Sequence, residues 1–375
     1  MGRNKSNFVD LCQGDFGRKT AYTGVAQITT ENVVQVLSDT IGTHNRNRMM
    51  INYLYRYYKG DQPILYREKL VRPEVNNRVV ENHALEVVKF KAGQIYGEPI
   101  QYVCKKKKAD KKINEQIDLL NDYLDEANAD ARNIQLGIYQ SAVGTAYKAI
   151  LREDDWTKDR DLPPFRIFIP YPGDVYIVYS RNTGKAMLSV QILKDEENQQ
   201  YYLCYSSNQY FKIKNGQVTV SGINGFGGIP IIEYPNNHDR LSDVEIAITA
   251  FDAINKYQSD RLNGVEQFVQ AFMKFKNCEV DENEFLKMVK LGAISVKDAG
   301  NGVQSDVDLM TAELNQSESQ VAKDDIYNNM LIVEAMPNRQ SNTGGDTGNA
   351  VYLRNGWDFA ERDAKLVEAF TKEAE

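Results

Sequence analysis

The chain has 375 residues, of which 42% are hydrophobic and 26% charged, and a formal net charge of −7. This composition is typical of globular proteins and excludes a disordered or collagen-like chain. A mean hydropathy of −0.52 and the lack of an apolar run of about eighteen residues exclude a membrane-spanning helix. The N-terminus also lacks a secretory signal pattern. We therefore expect a soluble intracellular protein with two or three folding units.

Charge is distributed unevenly along the chain. Residues 279–375 contain 9 Lys and Arg against 19 Asp and Glu, a balance of −10, whereas residues 1–278 balance to +3. The last quarter is therefore the acidic part of the protein.

Cysteines and histidines are few and isolated. They are Cys12, Cys104, Cys204, Cys278, His44, His83 and His238. Zinc sites and redox pairs need cysteines about two residues apart, and a nucleophilic or metal site needs a histidine beside a partner. Because no such spacing occurs, we expect reduced, packed cysteines, and neither a metal nor a cofactor.

The first 144 residues have mostly helical periodicity. Within the first long pattern Met50, Leu54 and Tyr57 share one helix face, which favours burial in a core over phosphate contact by the basic residues nearby. The expected elements are a loose arm over 1–28, helices over 30–58 and 80–96, a strand over 100–104 and two helices within 111–144.

A dense basic run, from Lys105 to Lys112, follows the expected strand. Such a patch can bind nucleic acid through phosphate contacts. A solvated loop between a strand and a helix has the same composition, so both interpretations stay open.

From Tyr147 to Tyr234 the apolar period changes to two. Eight short runs are separated by Asn-Thr-Gly, Lys-Asn-Gly and Pro-Gly turns, which predicts an antiparallel sheet or a small barrel. The glycines of residues 222–228 precede a strand, whereas a dinucleotide-binding loop opens a helix, so we do not assign them to a phosphate site.

Two long helical patterns follow. The first covers 243–276, begins at a Ser-x-x-Glu capping box, and would be on the order of 50 Å long. The second covers 317–336, begins at a Ser-x-x-Gln box, and is stopped by Pro337. Residues 279–314 between them alternate short helix and strand patterns.

A polar, glycine-rich stretch, NRQSNTGGDTGN, occupies residues 338–349. Taken alone it indicates an exposed, flexible connector. The helical pattern of residues 350–375 follows, with a kink expected at Gly356.

This order of elements resembles the portal proteins of tailed bacteriophages, in the siphophage-type portal family. The resemblance rests on four blocks that span most of the chain. They are YLYRYYKGDQPIL, NNRVVENHALEVVKFKAGQIYGEPIQY, IPIIEYPNNHDRLSDVE and MPNRQSNTGGDTGNAVYLRNG, beginning at Tyr53, Asn76, Ile229 and Met336.

The resemblance implies a ring-forming structural subunit with an α+β portal fold and no catalytic residues. It implies a wing over 1–240, a first stem helix over 241–276, a clip over 277–314, a second stem helix over 315–337, a tunnel loop over 338–349 and a tunnel helix over 350–375. Family members continue into a crown, so we expect the crown here to be absent or truncated.

The resemblance also assigns three groups of functional residues. The tunnel loop, expected to line a DNA channel, comprises Asn338, Arg339, Asn342, Thr343, Gly344, Gly345, Asp346, Thr347, Gly348 and Asn349. The tunnel helix contributes Leu353, Arg354, Gly356, Trp357, Glu361 and Asp363. The clip, expected to dock terminase and connector proteins, contributes Glu282, Glu284, Lys287, Lys290, Lys297 and Asp298.

The implied function is a dodecameric ring at a capsid vertex, through which double-stranded DNA is packaged and ejected without sequence specificity. Such a protein is assembled in the host cytoplasm and ends in the virion. Its expected partners are copies of itself, the large terminase, a head-completion or adaptor protein, the scaffold and the major capsid protein, with no membrane.

An acidic last quarter suits such a channel, because basic contacts would hold the DNA whereas carboxylates repel it toward the axis. Asp346, Glu361 and Asp363 are the expected lumen acids. Arg339 and Arg354 are expected to hold single phosphates or to pair with neighbouring subunits. Acids on a solvated outer surface have the same composition, so this interpretation stays open.

Two other functions also remain open at this point. A carboxylate-based hydrolase needs two acids in a concave site, and carboxylates are abundant here. A general nucleic-acid-binding protein would use the run from Lys105 to Lys112. The long helices favour an assembly protein over both.

Overall fold

The computed structural model describes residues 8–70, 72–104, 111–153, 163–269, 272–276, 306–310, 316–339 and 348–375, together with positions 283 and 286. These residues form a mixed fold of helices and sheets, which confirms the predicted fold class at this coarse level. They divide into two compact units. The larger contains residues 1–63, 80–252 and 327–375, and the smaller contains residues 64–79 and 253–326. The division into wing, stem and clip stays a prediction.

The larger unit begins with helices. They are α1 (Phe8–Cys12), α2 (Val33–Tyr58), α3 (His83–Tyr96), α4 (Lys111–Glu126) and α5 (Ala129–Val143). The predicted core face of α2 is confirmed, because Met50, Leu54 and Tyr57 are all buried.

The strand predicted over residues 100–104 is wrong, since these residues have no regular structure. The backbone of Tyr102 bonds instead to one side chain. Its N–H donates to Asn121 Oδ1 (3.1 Å), and its carbonyl accepts from Asn121 Nδ2 (3.1 Å). The amide of Asn121 therefore occupies the backbone groups that a neighbouring strand would otherwise bond.

Two sheets follow in the larger unit. Their strands are β1 (Ala21–Thr23), β2 (Thr145–Arg152), β3 (Phe165–Phe168), β4 (Val175–Ser180), β5 (Ala186–Lys194), β6 (Gln200–Tyr205), β7 (Gln209–Lys214), β8 (Gln217–Ile223) and β9 (Ile231–Pro235). One sheet has the order β1-β4-β5-β6-β7-β8 and the other the order β3-β2-β9. The eight predicted strands are confirmed, and they form open sheets. The short strand β1 was not predicted; it pairs in parallel with β4.

Both faces of strand β4 are buried within the larger unit. Tyr176 and Val178 belong to a core cluster with the start of α2. Val175 and Ile177 belong to a second cluster with β2 and β9. This double burial explains why its sequence, VYIVY, is a continuous hydrophobic run without polar alternation.

Helix α6 (Asp243–Val269) begins at the predicted capping box. Ser242 Oγ accepts from the N–H groups of Val244 (3.0 Å) and Glu245 (3.4 Å), and the Ser242 N–H is a donor to the Glu245 carboxylate. The same carboxylate accepts from the N–H of Gly17 (2.7 Å) and forms a buried ion pair with Arg18. The cap therefore also fixes the N-terminal segment of the chain.

The predicted length of this helix is wrong, because α6 ends at Val269. Residues Phe272–Lys276 form β10, which pairs antiparallel with β11 (Asp306–Met310). The apolar pattern does not indicate this change from helix to strand, because the strand that pairs with β10 lies about thirty residues further along the chain.

Helix α7 (Gln316–Val333) confirms the second long helical pattern. Within the smaller unit, Lys323 Nζ donates to Gln258 Oε1 at 2.9 Å, and Arg261 bonds to Gln320. Going forward along α6, from Gln258 to Arg261, the contacts go backward along α7, from Lys323 to Gln320. The two helices are therefore antiparallel in this region.

The last helical pattern is divided into α8 (Gly348–Arg354) and α9 (Trp357–Ala374). Gly356 between them has a φ of 83°, which lies in the left-handed region that glycine adopts without strain. The predicted kink is thus confirmed as a break between two helices.

Several predicted functional positions lie outside the described residues. They are Lys105 to Lys108 of the basic run, the clip residues Glu282, Glu284, Lys287, Lys290, Lys297 and Asp298, and the loop residues Asn342, Thr343, Gly344, Gly345, Asp346 and Thr347.

Candidate functional site

The polar loop predicted over 338–349 is described only at its two ends. At its start, the N–H of Asn338 donates to the carbonyl of Asn355 at 3.0 Å, and Asn338 Nδ2 donates to Asn328 Oδ1 at 3.0 Å. Asn355 follows α8 and is buried. This backbone hydrogen bond therefore joins the residue at the start of the loop to the residue that follows α8.

Arg339, also at the base of the loop, is paired within the larger unit. Its Nη2 donates to Glu86 Oε1 at 2.9 Å. Glu86, on α3, also accepts from Tyr327 Oη (3.3 Å), and its Oε2 lies 3.0 Å from His83 Nδ1. The contact with His83 foremost, assisted by Arg339, lowers the pKa of Glu86. Sequence reasoning missed Glu86 as the partner of Arg339 because the two residues lie 253 positions apart and have no motif spacing.

Helix α9 packs one face against the larger unit. Ala360, Ala364, Val367 and Thr371 are buried. Trp357 contacts Phe90 of α3, with ring centroids 6.2 Å apart. The apolar side chains at the predicted spacing therefore pack against other parts of the same chain.

Other apolar side chains of α8 and α9 are exposed to solvent. Phe359 is 61% exposed and Leu366 is 67% exposed. Since they are seven residues apart, they lie on one side of α9. Leu353 on α8 is 56% exposed. Only Leu353 was among the predicted site residues; a helical pattern does not tell which flank of an apolar stripe meets solvent.

The charged residues predicted on these helices differ in environment. Glu361 and Arg354 are exposed. Asp363 forms an ion pair with the buried Lys91 of α3. The structure thus brings Asp363 and Arg339 to α3, while Glu361 and Arg354 lie at the surface.

Lys91 is also the centre of a wider charged cluster. Asp243 at the start of α6 and Glu334 just after α7 interact electrostatically with it and are both buried. Among the described residues, no group of three or more His, Cys, Asp or Glu is arranged to hold a metal ion.

Residues 37–354 match the family described as phage portal protein, SPP1 Gp6-like. The chain belongs to this portal family. The sequence resemblance is therefore confirmed, and the portal family is structural rather than enzymatic.

A curated relative in the family is the portal protein of Bacillus phage SPP1. It is 23% identical over 329 residues, which cover 79% of this chain and 60% of the relative. The chain thus spans about three fifths of the length of the curated relative that it matches.

Chains in solved structures of gene transfer agent (GTA) particles show partial similarity to this chain. A chain in the virion of the native particle has a TM-score of 0.43 at 11% identity, covering 82% of this chain and 75% of that one. A chain in the native particle's neck, computed with C12 symmetry, has the same score and identity, covering 74% and 73%. Separately, no helix in the described parts of this portal-family chain has the length and apolarity of a bilayer span.

Proposed function

We propose that this chain is the subunit of a portal ring at one capsid vertex, through which double-stranded DNA is packaged and later ejected. The observation that carries the proposal is the family match, which extends over residues 37–354 and therefore includes parts of both compact units. In this proposal the protein acts as a passage and a docking platform, without catalysis.

Ring closure needs a contact surface that a single chain leaves open. Phe359 and Leu366 on α9, with Leu353 on α8, are large apolar side chains that the larger unit does not cover. Association of identical subunits removes such side chains from water. Their exposure supports a contact between neighbouring copies at this face, in a ring of twelve.

The stem assignment is supported within the smaller unit by the antiparallel pairing of α6 and α7. We assign the clip to residues 277–314, including Glu282, Glu284, Lys287, Lys290, Lys297 and Asp298. The β10–β11 pair places the residues just before this segment beside residues 306–310. Terminase and the head-completion protein would dock on the clip, and the scaffold and major capsid protein on the wing.

The channel would be lined by the loop of residues 338–349 and by Glu361. Because Arg339 is bound to Glu86 and Asp363 to Lys91, these two residues position the loop and α9 in our proposal. The remaining acids repel the phosphates, so the duplex can slide.

Ring assembly can be tested by measuring the mass of the purified protein and imaging it in negative stain. We expect closed rings for the natural sequence. Replacing both Phe359 and Leu366 with Asp introduces charges where apolar contacts form between copies, so we expect monomers with an unchanged circular dichroism spectrum.

The matched control is Lys365→Asp, which adds one carboxylate to the same helix. Lys365 is exposed and lies about 100° around α9 from Leu366. This variant should still form rings. If the double variant assembles as the natural protein does, the α9 face is not the interface; if the natural protein never forms rings, the proposed function fails.

A further inference from the structure

Four charged side chains from separate elements of the larger unit interact electrostatically with one another. They are Lys91 of α3, Asp243 of α6, Glu334 after α7 and Asp363 of α9. Lys91 forms its ion pair with Asp363, while Asp243 Oδ1 accepts from Asn236 Nδ2 at 2.9 Å. One ammonium group therefore faces three carboxyl groups.

Glu334 has one oxygen that no described residue hydrogen-bonds. The residue is 2% exposed, and its Oε1 is buried without a hydrogen-bond partner in the described part of the chain. An ionised carboxylate in such a place would lose its hydration without replacement, which is costly. A protonated carboxyl group avoids most of that cost.

The net charge of the four-residue cluster also favours a protonated Glu334. With all four groups ionised, the cluster would carry a net charge of −2 in a buried site, where like charges repel strongly. Burial first, and then the neighbouring Asp243, raise the pKa of Glu334 well above its ordinary value. Burial likewise raises the pKa of Asp243, although Lys91 opposes this shift.

We propose that this cluster is a proton-binding site that latches α9: a proton on Glu334 keeps Asp363 paired with Lys91, and its loss releases the helix. The proposal does not depend on ring assembly. When Glu334 ionises, its carboxylate competes for Lys91 and repels the other two acids.

Asp363 is the carboxylate that can leave. Its side chain is 35% exposed, whereas Asp243 is buried and is held by Asn236. Moving Asp363 into water relieves the repulsion at little cost in solvation, and α9 moves with it. Because α9 is joined to α8 and the polar loop, the latch would couple protonation to the position of that loop.

Trp357 reports this movement, because it lies at the start of α9 and packs on Phe90. The sequence contains two tryptophans, so Trp156→Phe leaves Trp357 as the single tryptophan, which can be excited selectively over the tyrosines. In this background we expect acrylamide quenching of Trp357 to increase as the pH rises from 5 to 9. Glu334→Gln, which mimics the protonated side chain, should keep quenching low throughout, and Asp363→Asn should give high quenching at every pH.

Thermal stability provides a second readout. Since the pKa of Glu334 is raised in the folded protein, the stabilisation that its proton provides is fully present below the ordinary pKa of 4.5. The stability is then lost as the pH rises toward the folded pKa, by up to about tenfold in the unfolding equilibrium constant per pH unit. Glu334→Gln should lack this slope.

Glu361→Gln is the matched control, because it neutralises an exposed acid on the same helix. It should keep both pH responses. The latch is overturned if Glu334→Gln retains the quenching change and the stability slope of the natural sequence, if neither response occurs in the natural sequence, or if Glu361→Gln abolishes them.

Discussion

Glu86 shows how single side chains determine the position of the polar loop. Its carboxylate accepts from Arg339 and Tyr327 and lies beside His83, so a residue early in the chain holds the base of a loop near its end. Sequence identified Arg339 but not this partner. The contact depends on α3 and α7 being packed together, which no local spacing records.

We predict that Glu86→Gln destabilises the protein by about 1 kcal/mol at pH 7, as expected for the loss of a partly exposed charged hydrogen bond. Because the pKa of Glu86 is lowered in the folded state, this stabilisation is present above the ordinary value of 4.5 and is lost as the pH falls through the folded value. The two proteins should therefore converge in acid. Urea unfolding at pH 7 and pH 4 measures this.

Glu81→Gln is the control for this prediction. Glu81 Oε2 lies 3.3 Å from His83 Nε2, so this variant alters the same histidine while leaving the ion pair of Glu86 with Arg339 intact. Its effect should be smaller. Equal unfolding midpoints for Glu86→Gln and the natural protein at pH 7 would contradict the anchoring role.

At the level of elements, Gly356 separates two helices, although the apolar pattern of the sequence continues from one helix into the other. Sequence predicted a kink because glycine is a weak helix former. The structure adds its cause: a left-handed backbone angle, with Asn355 buried and bonded to Asn338 just before it. That angle sets the direction in which the chain leaves α8 and enters α9.

Gly356→Ala should cost about 1 kcal/mol, since an added Cβ is unfavourable at positive φ. Apart from the chain neighbours of Gly356, no described atom lies within 4 Å of that Cβ position, so the cost comes from the backbone. Gly356→Asn should cost less, because asparagine tolerates this region better. The change in melting temperature measures both.

Gly348→Ala is the matched control, because Gly348 begins α8, has no positive φ, and has no described atom beyond its chain neighbours within 4 Å of an added Cβ. It should not lower the melting temperature. If Gly356→Ala is as stable as the natural protein, α8 and α9 are not separated by a left-handed residue.

For the whole molecule, we expect charge to decide how strongly the proposed ring binds DNA. The balance of −10 falls in the last quarter, and the larger unit binds Arg339 and Lys91 to carboxylates of its own. These two cations are therefore already neutralised within the fold. A ring of such subunits should repel a duplex more than it grips it.

We accordingly predict weak binding of a duplex of about 30 base pairs by the assembled protein, with a shallow dependence on salt. Fluorescence anisotropy between about 50 and 200 mM NaCl should give a slope of log affinity against log salt no steeper than about −2. A slope of about −5 or steeper would indicate six or more phosphate contacts. It would contradict a sliding channel and favour the run from Lys105 to Lys112 as a binding surface.

Sequence by itself determined the eight strands from Tyr147 to Tyr234, the α2 core face, both long helical patterns and the portal family. These features follow from local periodicity, turns and block order, which are properties of neighbouring residues. The tertiary structure alone decided where α6 ends and that β1 joins β4. It also decided that Asp363 and Arg339 pair within the chain, and that Glu334 is buried beside Lys91. The physical reason is that hydrogen-bond partners, burial and charge balance arise between residues that lie far apart in the chain and meet only when it folds.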